Sequence, residues 1–311
     1  ATDHTYHGNT TAVAQLSATN PSRYGVADHV RFVPAPDSYR PLGGEAGPAH
    51  AAAFARAVED AITDLEDSGV GFGGIILCPS FVNEGFPMLD EGWLAPALAA
   101  VRKAGGLFIA DEVQPGFGRN GSNMWGHQRI KVRPDVVTLG KPMGNGHPIA
   151  GLVTTPEIMA GFRNSFRYFN TYGGNPVSVA AANATLDVIE AEGLQANALE
   201  VGTYAQDGLR RLAERHGDIG DVRGYGLFFG AEFVRDRETK APATGYVTAL
   251  ANAMRHRGVL LNKLGIHYNT LKVRPPLPFS RENADLMLET LDDALSNLGP
   301  VEDFVAGDSA A

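Results

Sequence analysis

Two short apolar runs, each followed by a charged residue, limit what this chain can fold into. Leu107-Phe108-Ile109-Ala110 leads straight into Asp111, and Asp135-Val136-Val137-Thr138-Leu139 is followed by Gly140 and Lys141. Unbroken apolar runs of this length match strands buried on both faces of a sheet. Ile75-Ile76-Leu77-Cys78, after Gly73-Gly74, reads the same way, and residues 150–154 supply a fourth strand. Between the first two strands, Glu91 to Ala104 carries Trp93, Leu94, Ala97, Leu98 and Val101 at helical spacing, and Gly105-Gly106 stops it. Strands separated by helices or long loops predict a mainly parallel sheet with both faces covered.

The second half changes character. Pro176 to Glu190 reads as a helix opened by proline, with Val177, Ala181, Ala184 and Val188 on one face. Leu199 to His216 continues helical, and Asp221 to Val234 reads as extended segments around Gly224, Gly226 and Gly230. Arg281 to Leu298 places Ala284, Met287, Leu288, Leu291, Leu295 and Leu298 on one stripe of a last helix. The expected organisation is a large α/β domain over residues 1–188 and a smaller C-terminal α+β domain over 189–311. A frayed end is expected at Gly307 to Ala311.

Bulk properties narrow the function. The 311 residues are 44% hydrophobic, enough for a large core. A formal net charge of −9 disfavours nucleic acid and anionic membrane surfaces as partners. No run of 18 or more apolar residues is present to span a membrane. Cys78 is the single cysteine, so no intrachain disulfide can form, and a reducing, cytoplasmic setting is expected. The chain opens at Ala1-Thr2-Asp3-His4 without Met or a signal peptide, so upstream residues are expected. His4 and His7 have no cysteine or carboxylate cluster to join, and no metal site is expected. Gly224-Tyr225-Gly226 and Gly144-Asn145-Gly146 begin like a dinucleotide fingerprint but lack its last glycine, with Phe229 and Ile149 in that place.

The charged residues at the strand ends carry the chemistry. In an open parallel sheet, the carboxyl ends of neighbouring strands share one crevice. There, a lysine hemmed by glycines suits a flat carbonyl cofactor. Pyridoxal 5′-phosphate (PLP) needs such a lysine for its imine and a carboxylate to keep its pyridine nitrogen protonated.

The segments 107–119 and 134–146 resemble the signature of the class III (ω-) aminotransferases, PLP enzymes of fold type I, and the resemblance spans essentially the whole chain. It implies that Lys141 holds PLP as a Schiff base and that Asp111 pairs with the pyridine nitrogen. It places Gln114 against the ring's phenolic oxygen. Tyr6-His7-Gly8 matches a Tyr-His-Gly of the family whose aromatic ring packs on the cofactor face. Thr171, in Phe169-Asn170-Thr171-Tyr172-Gly173, matches a threonine that binds the cofactor phosphate across a dimer interface, so a homodimer is expected. Arg274, in Lys272-Val273-Arg274-Pro275-Pro276, matches a position that often carries an arginine for a substrate anion. Two departures stand out. Many relatives carry Glu-Pro where this chain has Cys78-Pro79, and the family's upstream phosphate-holding loop is not in the sequence.

Residues 140–148, 168–178 and 34–40 most resemble the alanine–glyoxylate aminotransferase 2-like branch, which includes ethanolamine-phosphate phospho-lyases. The leading expectation is an aminotransferase that moves an amino group from a small amine or amino acid to a keto acid. The second is a phospho-lyase that expels phosphate from O-phosphoethanolamine or a similar amine. In both, the Lys141 amine takes the proton from the amine-bearing carbon. A third expectation, opposed by the intact Lys141, Asp111 and Gln114, is a fold that binds PLP without turnover.

Overall fold

The computed structural model describes residues 1–18 and 25–304; the expected fray at 307–311 lies outside them. The N-terminal stretch carries one short helix, α1 (Thr11–Ala14). A long helix, α2 (Pro48–Asp67), precedes the first strand, β1 (Gly74–Leu77). Then follow α3 (Ala95–Lys103), β2 (Leu107–Asp111), α4 (Gly126–Arg129), β3 (Val136–Leu139) and β4 (Gly151–Thr154). The first three strands are parallel neighbours in the order β1-β2-β3, with Leu77 beside Ala110 and Asp111 beside Thr138. That register brings the residues after β1, β2 and β3 to one edge of the sheet.

β4 departs from the parallel expectation: it runs antiparallel to β3, pairing Leu139 with Gly151. The reason is the connection. Residues 140–150 hold only a single 3₁₀ turn, Lys141–Gly144, and a parallel return needs a crossover of about a dozen residues or more. α2 was not among the expected elements. Its stripe of His50, Ala51, Phe54, Ala55, Val58 and Leu65 is buried at helical spacing. It packs with Leu94, Ala97, Leu98 and Val101 and with Phe108 of β2 into the first core.

Helices α5 (Pro156–Ser165), α6 (Pro176–Ala191) and α7 (Leu194–Arg215) lead to a second core. Its antiparallel sheet is built from β5 (Ile219–Tyr225), β6 (Phe228–Asp236), β8 (Asn262–Leu264) and β9 (Thr270–Val273), in the order β5-β6-β9-β8. A two-residue strand, β7 (Ala241–Pro242), pairs with β6. α7, α8 (Thr244–His256) and α9 (Arg281–Asn297) bury Leu209, Leu250, Leu291 and Leu295 with Phe229 and Phe233 of β6. The segment expected to be extended, 221–234, is the β5–β6 hairpin. Gly226 takes φ +54° in its turn, and a Cβ there would stand 2.6 Å from the Asn120 backbone. Gly202 of α7 lies so close to the Gly226 carbonyl that a Cβ would meet it at 2.1 Å. These two glycines therefore fix how near helix, hairpin and large-domain loop can come.

Candidate active site

Asp111 ends β2, Lys141 opens the turn after β3, and Cys78 follows β1. Because these strands are parallel, all three residues border one cavity of about 180 Å³. The N-terminal segment lines its other wall with Tyr6, His7 and Gly8, and Gln114 also faces it. The Lys141 Nζ lies 5.8 Å from the Tyr6 ring centre. Five residues singled out in the sequence, Tyr6, His7, Asp111, Gln114 and Lys141, thus meet in one place.

Asp111 is 6% exposed, so its charge needs partners. One oxygen accepts the Val113 N–H at 3.0 Å, and the other lies 2.6 Å from His7 Nδ1. The far ring nitrogen of His7 meets the Thr5 hydroxyl at 3.0 Å, and its backbone N–H donates to Ser17 Oγ at 2.9 Å. His7 therefore serves the cavity by orienting Asp111. Glu112, next along the strand, turns the other way. It accepts the N–H groups of Gly126 and His127, each at 2.8 Å, and so anchors the start of α4.

The Lys141 amine is pulled below its ordinary range. Desolvation at the cavity wall is the main cause, Asp111 opposes it, and Arg274 adds to it. A lysine shifted in that direction carries a larger share of free amine, the form that attacks carbonyls and takes protons. Cys78 is buried, and burial pushes its thiol far up, so it is no nucleophile.

A second cavity, of about 400 Å³, shares Tyr6, Gln114 and Lys141 and adds Lys263, Lys272 and Arg274. Lys272 lies on β9 and Arg274 just past its end, yet both line this cavity. Lys272 Nζ donates to Gln114 Oε1 at 3.4 Å. Burial, then repulsion from Arg274 and Lys141, push Lys272 down to about 8. Among the described residues, none of Lys263, Lys272 and Arg274 forms an ion pair. Sequence reasoning had Arg274. Lys263 and Asn83, which also lines both cavities, were missed because each arrives from a distant loop or strand with no local pattern. Thr171 lines neither cavity and stands exposed. Among the described residues, no group of three or more His, Cys, Asp or Glu could hold a metal, and no helix is long and apolar enough to cross a membrane.

Comparison with known proteins agrees with this geometry. The family model for class-III aminotransferases matches residues 1–295, and the chain belongs to that family, whose members are PLP-dependent. It is 42% identical over 302 residues to alanine–glyoxylate aminotransferase 2 homolog 2, mitochondrial, of Arabidopsis thaliana, covering 94% of this chain and 60% of the relative. It is 36% identical over 310 residues to ethanolamine-phosphate phospho-lyase homolog 1 of Caenorhabditis elegans, covering 94% and 66%. Among solved structures, a phospholyase from Arthrobacter in complex with phosphoethanolamine superposes with a TM-score of 0.89 at 41% identity, covering 96% of this chain and 70% of that one. The chain spans about 60% of the length of the first curated relatives.

The residues present fit the ring end of PLP. A lysine amine, a buried carboxylate, an aromatic face and an amide converge on one small cavity, and a buried carboxyl oxygen of Glu84, another lining residue, has no partner among the described residues. The free cations of the adjoining cavity give a direct expectation. Inorganic phosphate should bind the PLP-loaded protein more weakly as pH rises through about 8, because Lys272 then loses its charge. Calorimetric titrations at pH 7 and pH 9 should show this loss, and Lys272→Met should remove most of it. An affinity independent of pH in the unaltered protein would contradict the reading.

Proposed function

We propose that this protein is a PLP-dependent enzyme for small amines with an anionic terminus, and that it eliminates phosphate from an O-phosphorylated amine such as O-phosphoethanolamine. The observation that carries this reading is the group Lys263, Lys272 and Arg274, three cations that form no ion pair among the described residues, beside Lys141. A phosphate monoester dianion matches that charge better than a lone carboxylate does. The likeness to a phospholyase in complex with phosphoethanolamine supports the same substrate class.

Bound PLP supplies the electron sink that lets a proton leave the amine-bearing carbon. The chain's own groups do the rest. Asp111, held by His7 and Val113, would pair with the pyridine nitrogen. Tyr6 would pack on the ring, and Gln114, tied to Lys272, would hydrogen-bond to it. The Lys141 amine accepts the proton from carbon. The electron pair left behind forms a carbon–carbon double bond as the C–O bond to phosphate breaks, and the three cations take up the charge of the departing phosphate.

Transamination to a keto acid is the second reading. Relatives named alanine–glyoxylate aminotransferase favour it, and Arg274 alone could receive a carboxylate. The division into domains 1–188 and 189–311 is kept as a proposal, supported by two separate cores. A reducing compartment remains our reading from the single buried Cys78. We also propose a homodimer. Phe166, Tyr168, Phe169 and Tyr172 are 64–82% exposed around Thr171, a patch too apolar to leave in water. A partner laid on it would carry Thr171 towards the other subunit's cofactor.

The full-length protein, loaded with PLP, should release phosphate from O-phosphoethanolamine over many turnovers without a keto acid. Arg274→Ala should lower kcat/KM by about tenfold to a hundredfold. Conversion to the amine form of the cofactor without phosphate release would support transamination instead. Sedimentation should give a dimer that Phe169→Asp weakens; a monomeric unaltered protein would contradict the shared site.

A further inference from the structure

The loop after β1 brings a carboxyl group to the cofactor cavity that the mechanism above leaves unused. Glu84 is 2% exposed and lines the same cavity as Asp111, Gln114 and Lys141. Its Oε1 accepts the hydroxyl proton of Thr2 at 2.5 Å, and Thr2 is itself buried. Its Oε2 is buried and has no hydrogen-bond partner among the described residues. A polar atom sealed from water without a partner costs about 1–3 kcal/mol, so a ligand that supplies one is favoured.

The position of this side chain is built, not incidental. Gly85, the next residue, has φ +105°, and its carbonyl accepts Nε of Arg223 at 2.6 Å. Arg223 is in turn buried against Glu232 and held by Asp221 at 3.0 Å. The small-domain sheet therefore fixes the loop that carries Glu84, while Thr2 fixes the carboxyl from the other side.

The charges around Glu84 are mixed. His7 and His4 favour its ionised form, as does the Thr2 hydroxyl, but burial outweighs them and pushes the carboxyl up. Asp111 and Cys78 border the same cavity. Cys78 is buried, with its thiol pushed up by that burial, and offers the cavity neither charge nor a strong donor. The carboxyl lining this side of the cavity comes from residue 84.

We propose that Glu84 is a further cofactor-contacting residue, a neutral carboxylic acid whose Oε2 donates a hydrogen bond to an acceptor on the edge of the PLP ring, directly or through one water. The inference rests on PLP occupying this cavity. Its role is to hold the ring without adding a second negative charge beside Asp111, which would compete for the same positive partners.

The test uses the full-length protein and reads binding and spectra, not turnover. PLP affinity is measured for the unaltered protein, Glu84→Gln and Glu84→Ala, together with the pH midpoint of the bound cofactor's visible absorbance. Glu84→Gln keeps a donor and neutrality, so its affinity should stay within about twofold and its midpoint unchanged. Glu84→Ala should bind PLP about tenfold more weakly. Infrared difference spectra of the unaltered protein against Glu84→Gln should show a protonated carboxyl band, a readout that holds even where Glu84→Ala folds poorly. A midpoint moved by about one unit or more in Glu84→Gln, no such band, or unchanged affinity in a folded Glu84→Ala would overturn the proposal. Failure of the unaltered protein to bind PLP at all would instead sink the reading of the cavity, and this inference with it.

Discussion

A carboxylate buried at the end of a central strand is the constraint on which the site depends. Asp111 is fixed by β2, and β2 is fixed between β1 and β3 by parallel ladders on both sides. Removing its charge from water must be offset by partners, and the structure provides a backbone N–H and the imidazole of His7. That need brings the N-terminal segment across the strand ends, because His7 can reach Asp111 only if Tyr6 and Gly8 come with it. Lys141 completes the arrangement from the next strand. Desolvation draws its amine below its usual range, and the Asp111 carboxylate opposes that shift.

The second constraint ties the antiparallel sheet to the segments around the parallel one. Arg223 and Glu232, on the paired strands β5 and β6, are 2% and 1% exposed and form an ion pair. Arg40 from the large domain adds a second cation to Glu232, and Asn269 donates to it at 3.1 Å. Taking one member from a buried pair of this kind typically costs about 3–5 kcal/mol, because the other charge is left without a partner. The pair does more than hold the interface. Through the Gly85 carbonyl it sets the loop after β1, and β9 on the same sheet delivers Lys272 to Gln114. The antiparallel sheet thus supplies the cationic wall, and the parallel strands supply the lysine and the carboxylate.

Much of this was legible in the sequence because the key residues lie next to strong local signals. Asp111 directly follows one apolar run and Lys141 lies one glycine past another, and strand ends converge by topology, so their meeting followed from the sheet, whereas Gln114 came from a resemblance. Tyr6 and His7 came from a resemblance, since nothing local ties residue 7 to residue 111. The antiparallel turn of β4 was missed because its four residues carry no mark of direction; only the length of the 140–150 connection does. Glu84, Asn83 and Lys263 were missed for a related reason. Each is an ordinary polar residue in its own segment and gains meaning only from contacts across the domain boundary.

The claim at the centre of this account is that Lys141 carries the cofactor. The direct measurement is to load the full-length protein with PLP, reduce it with borohydride, digest it and locate the modified lysine by mass spectrometry. The account expects the phosphopyridoxyl group on Lys141, with the peptide unmodified in Lys141→Ala. Stable modification at Lys272, Lys263 or any other lysine in place of Lys141, or at none, would contradict it.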